Sequence, residues 1–255
     1  MSGYGPLILI ILAVFGLAGG IGITSIGPGG ILPTIGLVAL TSLTPARVAG
    51  TAIVTHIATG AVGTAAYLRS GELRKPHTRR TAVVLSGAAV VGTPIGIMIN
   101  SALSARWFGI VLGVLTAAVA VLVLIRHRAH QESEPTDQTG LALIIGVGLF
   151  VAVAAGIVGI GGPMLTVPLL VAARMRPLEA VATSQAQSVI IAVVGSAGYL
   201  LHGDIDWLLA VVVGIPELAG VLIGWRIARA LPTRALRFAL VTALLAVSPY
   251  LVLHG

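Results

Sequence analysis

The chain of 255 residues contains no cysteine, and only 9% of its residues are Asp, Glu, Lys or Arg. The missing cysteine excludes disulfides and thiolate chemistry. The shortage of charge excludes more. A water-facing domain carries about 25% charged residues, whereas this chain is 57% hydrophobic. It reads as an all-α integral membrane protein. Basic residues are also missing from the start, where Arg47 is the first. Without a basic leader region, no cleaved signal peptide is expected, and residues 6–24 are read as a membrane helix of the mature chain. The net charge is +7, but the basic residues are scattered through short loops and form no stripe. They read as topology signals, so no nucleic-acid partner is expected.

Motifs for catalysis are equally scarce. "GIGG" (159–162) lacks the βαβ context of a dinucleotide fingerprint, and there is no H-E-x-x-H. Of the six histidines, all but His56 lie in expected loops or at the terminus. Ser184 with His56 is the one conceivable nucleophile–base pair. The chain is therefore read as not an enzyme, with no metal and no cofactor.

What the chain does have is long apolar runs. A membrane helix needs about 20 such residues, and runs of that size lie at 6–24, 47–68, 80–100, 106–125, 140–158, 178–200, 207–228 and 235–254. Two shorter apolar pieces, 29–43 and 162–173, each follow a stretch rich in glycine and proline: "TSIGPGGILPTIGL" (24–37) and "GIVGIGGPMLTVPLL" (156–170). The polar stretch "RHRAHQESEPTDQTG" (126–140) divides the chain. It suggests a first membrane repeat over 1–125, a cytoplasmic linker over 126–139 and a second repeat over 140–255.

The halves are related. A constant shift of 132 residues places Gly27, Gly29 and Gly30 on Gly159, Gly161 and Gly162. The same shift places Thr34 on Thr166, Pro45 on Pro177, Thr51 on Thr183, Gly63 on Gly195 and Tyr67 on Tyr199. If the short pieces do not cross, the basic residues divide almost evenly between the two sides. If both cross, every basic residue except Arg47 and Arg106 shares one side, a strong positive-inside signal. Each half then crosses about five times. The expected fold is two inverted repeats, each with a Gly/Pro-interrupted helix, and both termini outside the cell membrane.

Interrupted helices at matching places in inverted repeats are a transporter plan. They bring free backbone N–H groups and the positive end of a helix dipole to the midplane, where an anion can be held. The expected substrate site joins Gly29 and Gly30 to Gly161 and Gly162. Hydroxyl and amide donors follow on the next helices: Thr51 and Thr55 in the first half, Thr183, Ser184 and Gln187 in the second. Gln185 is a further amide nearby, and His56 matches Ser188. Glu217 is the acidic residue placed well inside a span, and an intramembrane carboxyl is by default a functional candidate. Glu217 and His56 are the candidates for carrying a coupling proton.

The repeated pattern runs from a glycine-rich break through "VP" and "P-x-x-A-x-A-T-S" to a Tyr and a glycine turn. Its second copy is "GIGGPMLTVPLLVAARMRPLEAVATSQAQSVIIAVVGSAGYLLHGDID" (159–206), and a weaker first copy is "GPGGILPTIGLVALTSLTPARVAGTAIVTHIATGAVGTAAYLRSGEL" (27–73). This resembles the sulfite exporter TauE/SafE family of membrane transporters over nearly the whole chain. The resemblance implies export or uptake of small sulfur-containing anions such as sulfite or organosulfonates. The chain departs from the pattern at "GTAIVTH" and at Pro163, which leaves the anion open. The expected function is secondary transport of such an anion, with a passive anion channel as the alternative. The expected partners are the anion and the lipid bilayer, with the oligomeric state undetermined.

Overall fold

The computed structural model describes residues 4–25, 27–129 and 140–230, with isolated positions between 242 and 251. The run expected at 235–254 and most of the linker therefore lie outside the described residues. The described elements are α1 (Pro6–Ser25), α2 (Leu32–Leu40), α3 (Pro45–Arg69), α4 (Pro76–Ser101) and α5 (Ala105–Ala129), then α6 (Leu141–Val158), α7 (Pro163–Ala172), α8 (Pro177–Leu201) and α9 (Trp207–Ala230). Short 3-10 turns occupy Pro28–Ile31 and Glu72–Arg74, and no strand occurs among the described residues. All but α2 and α7 are long and apolar enough to cross a membrane.

Proline sets many of the starts. Pro6, Pro45, Pro76, Pro163 and Pro177 each open a helix. The first turn has no intrahelical use for an N–H, and the fixed φ of proline suits it. That is why α3 and α4 begin slightly earlier than the apolar runs alone suggest.

Glycine sets the packing. A β-carbon on Gly16 would overlap the Val213 carbonyl, one on Gly20 the Glu217 carbonyl, and one on Gly224 the Ile21 backbone. Helices α1 and α9 thus lie backbone to backbone, in a register that rises along both, so they run parallel. The same argument holds for α4 and α6: Gly92 meets Leu149 and Ala152, and Gly96 meets Val153 and Gly156. Between these pairs, α3 and α8 run antiparallel, with Gly50 against Tyr199, Gly60 against Ser188 and Val189, and Gly63 against Gln185. Large apolar side chains such as Leu7, Val83, Met98, Trp107 and Ile215 point outward. That surface fits hydrocarbon rather than water.

Breaking a helix inside a membrane leaves carbonyls that must find partners. At the end of α6 they are met by side chains from three other helices. Tyr199 Oη donates to the Gly156 carbonyl at 2.6 Å, and Asn100 Nδ2 to the Ile157 carbonyl at 2.6 Å. Thr34 Oγ1 donates to the Gly159 carbonyl at 3.3 Å. Gly159 itself has φ 73°, the left-handed conformation that glycine adopts at a helix end.

Candidate functional site

The two breaks meet. Gly27 and Gly30 of the first and Gly161, Pro163 and Met164 of the second line one buried cavity. Its remaining wall comes from Ile23 of α1, His56 and Thr59 of α3, and Gln185 and Ser188 of α8. A β-carbon on Gly27 would sit 3.6 Å from the Pro163 carbonyl oxygen, so the breaks approach one another directly. His56, Thr59, Gln185 and Ser188 are all buried. The enclosed space is about 10 Å³, room for roughly one water molecule.

Helix α7 aims its N-terminus at this space. The first bond within it is from Thr166 N to the Gly162 carbonyl, 3.0 Å. The N–H groups before it have no intrahelical partner. One of them, Gly162 N, donates to Ser188 Oγ at 3.3 Å. The carbonyl end of α6 is capped by side chains while the N–H end of α7 faces the cavity, which makes the break electropositive toward its centre.

His56, the titratable residue in the cavity wall, meets an acidic residue of the other half. His56 Nδ1 lies 3.0 Å from Glu217 Oε1, and the two side chains are 1% and 0% exposed. Neither nitrogen of His56 and neither carboxyl oxygen of Glu217 makes an aligned hydrogen bond. Among the described residues, no group of three or more His, Asp or Glu could hold a metal ion.

These contacts locate each residue singled out from the sequence. Gly30, Gly161 and His56 line the cavity, and Gly162 borders it through Ser188. Glu217 stands behind His56. Gly29 is elsewhere, pressed against Gly19 and Gly22 of α1. Thr51 Oγ1 accepts from Asp206 N at 2.9 Å, at the start of α9. Thr55 Oγ1 donates to the Ala52 carbonyl, Thr183 Oγ1 to the carbonyls of Glu179 and Ala180, and Ser184 Oγ to the Val181 carbonyl. Gln187 Oε1 accepts from Thr166 Oγ1 at 2.6 Å, and its Nε2 donates to the Gly148 carbonyl at 3.3 Å, tying α6 and α7 to α8. Thr59 was not singled out, although it lies one turn from His56 on the same face. The capping roles of Asn100 and Tyr199 carry no sequence signal, since a carbonyl's partner on another helix is set only by the fold.

A family model described as "Sulfite exporter TauE/SafE" matches residues 11–251. The chain belongs to this family. Within it, the chain is 27% identical over 239 residues to the "Probable membrane transporter protein YdhB" of Bacillus subtilis (strain 168), covering 91% of this chain and 94% of that protein. It is 24% identical to the "Probable membrane transporter protein YunE" of the same organism, covering 96% of this chain and 98% of that one. A "Probable membrane transporter protein" of Xylella fastidiosa (strain 9a5c) is 29% identical over 135 residues, 51% of each chain. No solved structure matches. Like these TauE/SafE relatives, the chain is a membrane transporter, and the seven apolar helices among its described residues make it a multi-pass one.

Proposed function

We propose that this chain is a secondary transporter of a small anion, a sulfur oxyanion or organosulfonate of sulfite-like size. The anion crosses the cell membrane through a pocket between two inverted repeats, residues 1–125 and 140–255. His56 and Glu217 couple that movement to a proton. The observation that carries this reading is the meeting of both Gly/Pro breaks at one buried cavity beside an unsatisfied titratable pair.

The helix registers support the inversion. Helices α1, α3 and α9 share one direction: Thr51 meets Asp206, Thr55 meets Gly214 and His56 meets Glu217, so α3 rises with α9 as α1 does. Helices α4, α6 and α8 share a direction too, with Thr93 against Gly195 and Ile97 against Gly198. The antiparallel pair α3 and α8 opposes the two sets. Under the shift of 132 residues, α1 corresponds to α6 and α3 to α8, and α4 corresponds to α9 once a shortening of four residues is allowed. Each element opposes its equivalent, and each short piece, α2 or α7, must return the chain across the membrane. The pocket residues are Gly30, Thr59, Gly161, Gly162, Gln185 and Ser188 with His56. The hydroxyls of Thr51, Thr55, Thr183 and Ser184 serve carbonyls or a loop N–H instead.

Cysteines placed at Ser70 and His202 test the arrangement with an impermeant maleimide in intact cells, and the chain has no native thiol to mask. They are expected to label from opposite sides, His202→Cys from outside. Labelling of both from one side ends the inverted reading. Vesicles holding purified protein test the activity: radiolabelled sulfite accumulates under an imposed pH gradient. Passive equilibration alone would make the protein a channel. Glu217→Gln is expected to keep exchange and lose the accumulation.

A further inference from the structure

Burying an ionisable group without hydrogen bonds is costly, and burying two side by side is tolerated only if each offsets the other or a third group arrives. Nδ1 and Nε2 of His56 and both carboxyl oxygens of Glu217 are buried without an aligned hydrogen bond. The positions of the two side chains are not equivalent. One edge of the imidazole faces Glu217, with Nδ1 at 3.0 Å from Oε1. The rest of the ring lies along the cavity. A β-carbon on Gly30 would sit 3.4 Å from Cε1, and one on Gly161 would sit 3.5 Å from Cγ and 3.6 Å from Cδ2. His56 lines the cavity and Glu217 does not. The ring therefore stands between the carboxyl group and the space where the breaks meet.

Among the described residues, no other titratable residue shares that position. The helices α2, α6 and α7 carry none. On the other elements packed around the pair they occupy terminal turns: Arg47, Tyr67 and Arg69 on α3, His77, Arg79 and Arg80 on α4, Glu179 and Tyr199 on α8, and Arg226 and Arg229 on α9. Tyr4 precedes α1, Glu72 and Arg74 form the turn before α4, and Asp204 and Asp206 precede α9. Among the described residues, His56 and Glu217 are alone at mid-helix.

We propose that Glu217 is a built-in competitor of the transported anion. Its carboxylate and the anion are alternative counter-charges for one imidazolium, His56, which is the anion's direct ligand. This rests on the anion-transport reading above and assigns the chemistry of its pocket. With Glu217 ionised, the pair is self-neutral and the cavity has no surplus charge to attract an anion. A proton on Glu217 removes that claim. The imidazolium is then uncompensated in a water-poor site, where its field is strong. An anion reaching the cavity side takes over the role of the carboxylate, helped by the N-terminus of α7 and Ser188. One proton accompanies each anion, so a loaded monoanion brings the site no net charge.

Calorimetric titration of the purified full chain tests this, with methanesulfonate as a probe that stays a monoanion and thiosulfate as a second probe. The wild type is expected to bind with an affinity that falls about tenfold per pH unit once Glu217 ionises, the signature of one linked proton. Glu217→Gln, which imitates the protonated carboxyl, is expected to bind with the wild type's acid-pH affinity and to lose that slope. His56→Gln is expected to weaken binding at least tenfold at every pH. A Glu217→Gln protein that keeps the wild-type slope overturns the proposal, as does a folded His56→Gln protein that binds normally. If His56→Gln does not fold, the slope of Glu217→Gln decides alone. Wild-type binding with no pH dependence sinks the competitor and leaves anion transport standing. Binding of neither probe by the wild type removes the proposal together with the sulfur-anion reading.

Discussion

Gly159 and Gly161 are two residues apart in one break, and the same one-carbon change is expected to do opposite things to them. The backbone of Gly161 is outside the left-handed region, so alanine fits its conformation. The added carbon would sit 3.0 Å from Ser188 Oγ and 3.5 Å from the His56 ring. The first contact is tight, but a hydroxyl can rotate away, at the expense of the bond from Gly162 N, worth about 1 kcal/mol. Replacing glycine by alanine returns about 0.4–1 kcal/mol through the unfolded chain. Gly161→Ala should therefore change stability by less than about 1 kcal/mol. It should still abolish transport, because a methyl group fills a space of about 10 Å³. Gly159 has φ 73°, and a β-carbon there would overlap the backbone of Ala49. The left-handed conformation costs about 1–2 kcal/mol and overpacking about 1–3 kcal/mol. Gly159→Ala should lose roughly 2–5 kcal/mol of stability. Thermal unfolding in detergent and uptake of radiolabelled sulfite into vesicles separate the two effects. A Gly161→Ala protein with wild-type uptake would refute the assignment of the cavity, and a Gly159→Ala protein with wild-type unfolding would refute the account of the break.

Gly220→Ala would press a β-carbon into the Leu17 carbonyl and bring it to 3.1 Å from Gly20 Cα. It should cost about 1–3 kcal/mol and push Glu217 away from His56, seen as a lower unfolding temperature together with lost pH-driven accumulation. Outside the membrane helices, Lys75 Nζ donates to Glu72 Oε2 at 2.8 Å and lies 3.6 Å from Glu179 Oε1. The bond to Glu72, reinforced by the charges of Glu72 and Glu179, holds the ammonium above its ordinary value of 10.5. A raised value means the contribution is complete below the ordinary lysine range and is lost as pH rises through the raised one. The difference in unfolding temperature between wild type and Lys75→Met should be small and flat from neutral pH to about pH 10 and shrink above it. A difference that grows with alkalinity would contradict the ion pair.

The helices were legible because a bilayer demands long apolar runs, and those runs stand out in a chain with so little charge. Their starts were less legible from hydropathy than from proline, which lies at the opening of α3, α4, α7 and α8. The two Gly/Pro stretches stood out because glycine and proline crowd there at equivalent places in both halves. The sequence could not say what each hydroxyl would do. A Thr or Ser inside a helix always has a carbonyl three or four residues back, and Thr55, Thr183 and Ser184 use it. Thr51 and Thr183 occupy equivalent places in the repeat, yet Thr51 accepts from a loop N–H on the other half while Thr183 turns back on its own helix. Residue type and register were the same, and the partners differed. His56 and Glu217 were easier to pair, although they are far apart in sequence, because few mid-membrane groups can answer a buried charge. The same logic separates the two kinds of site residue. Backbone donors at a break are specified by glycine and proline and can be read directly. Side-chain donors are specified by whichever carbonyl the fold leaves nearest. The imidazole of His56 turns to no carbonyl of its own helix and is held instead between a carboxyl group and a cavity.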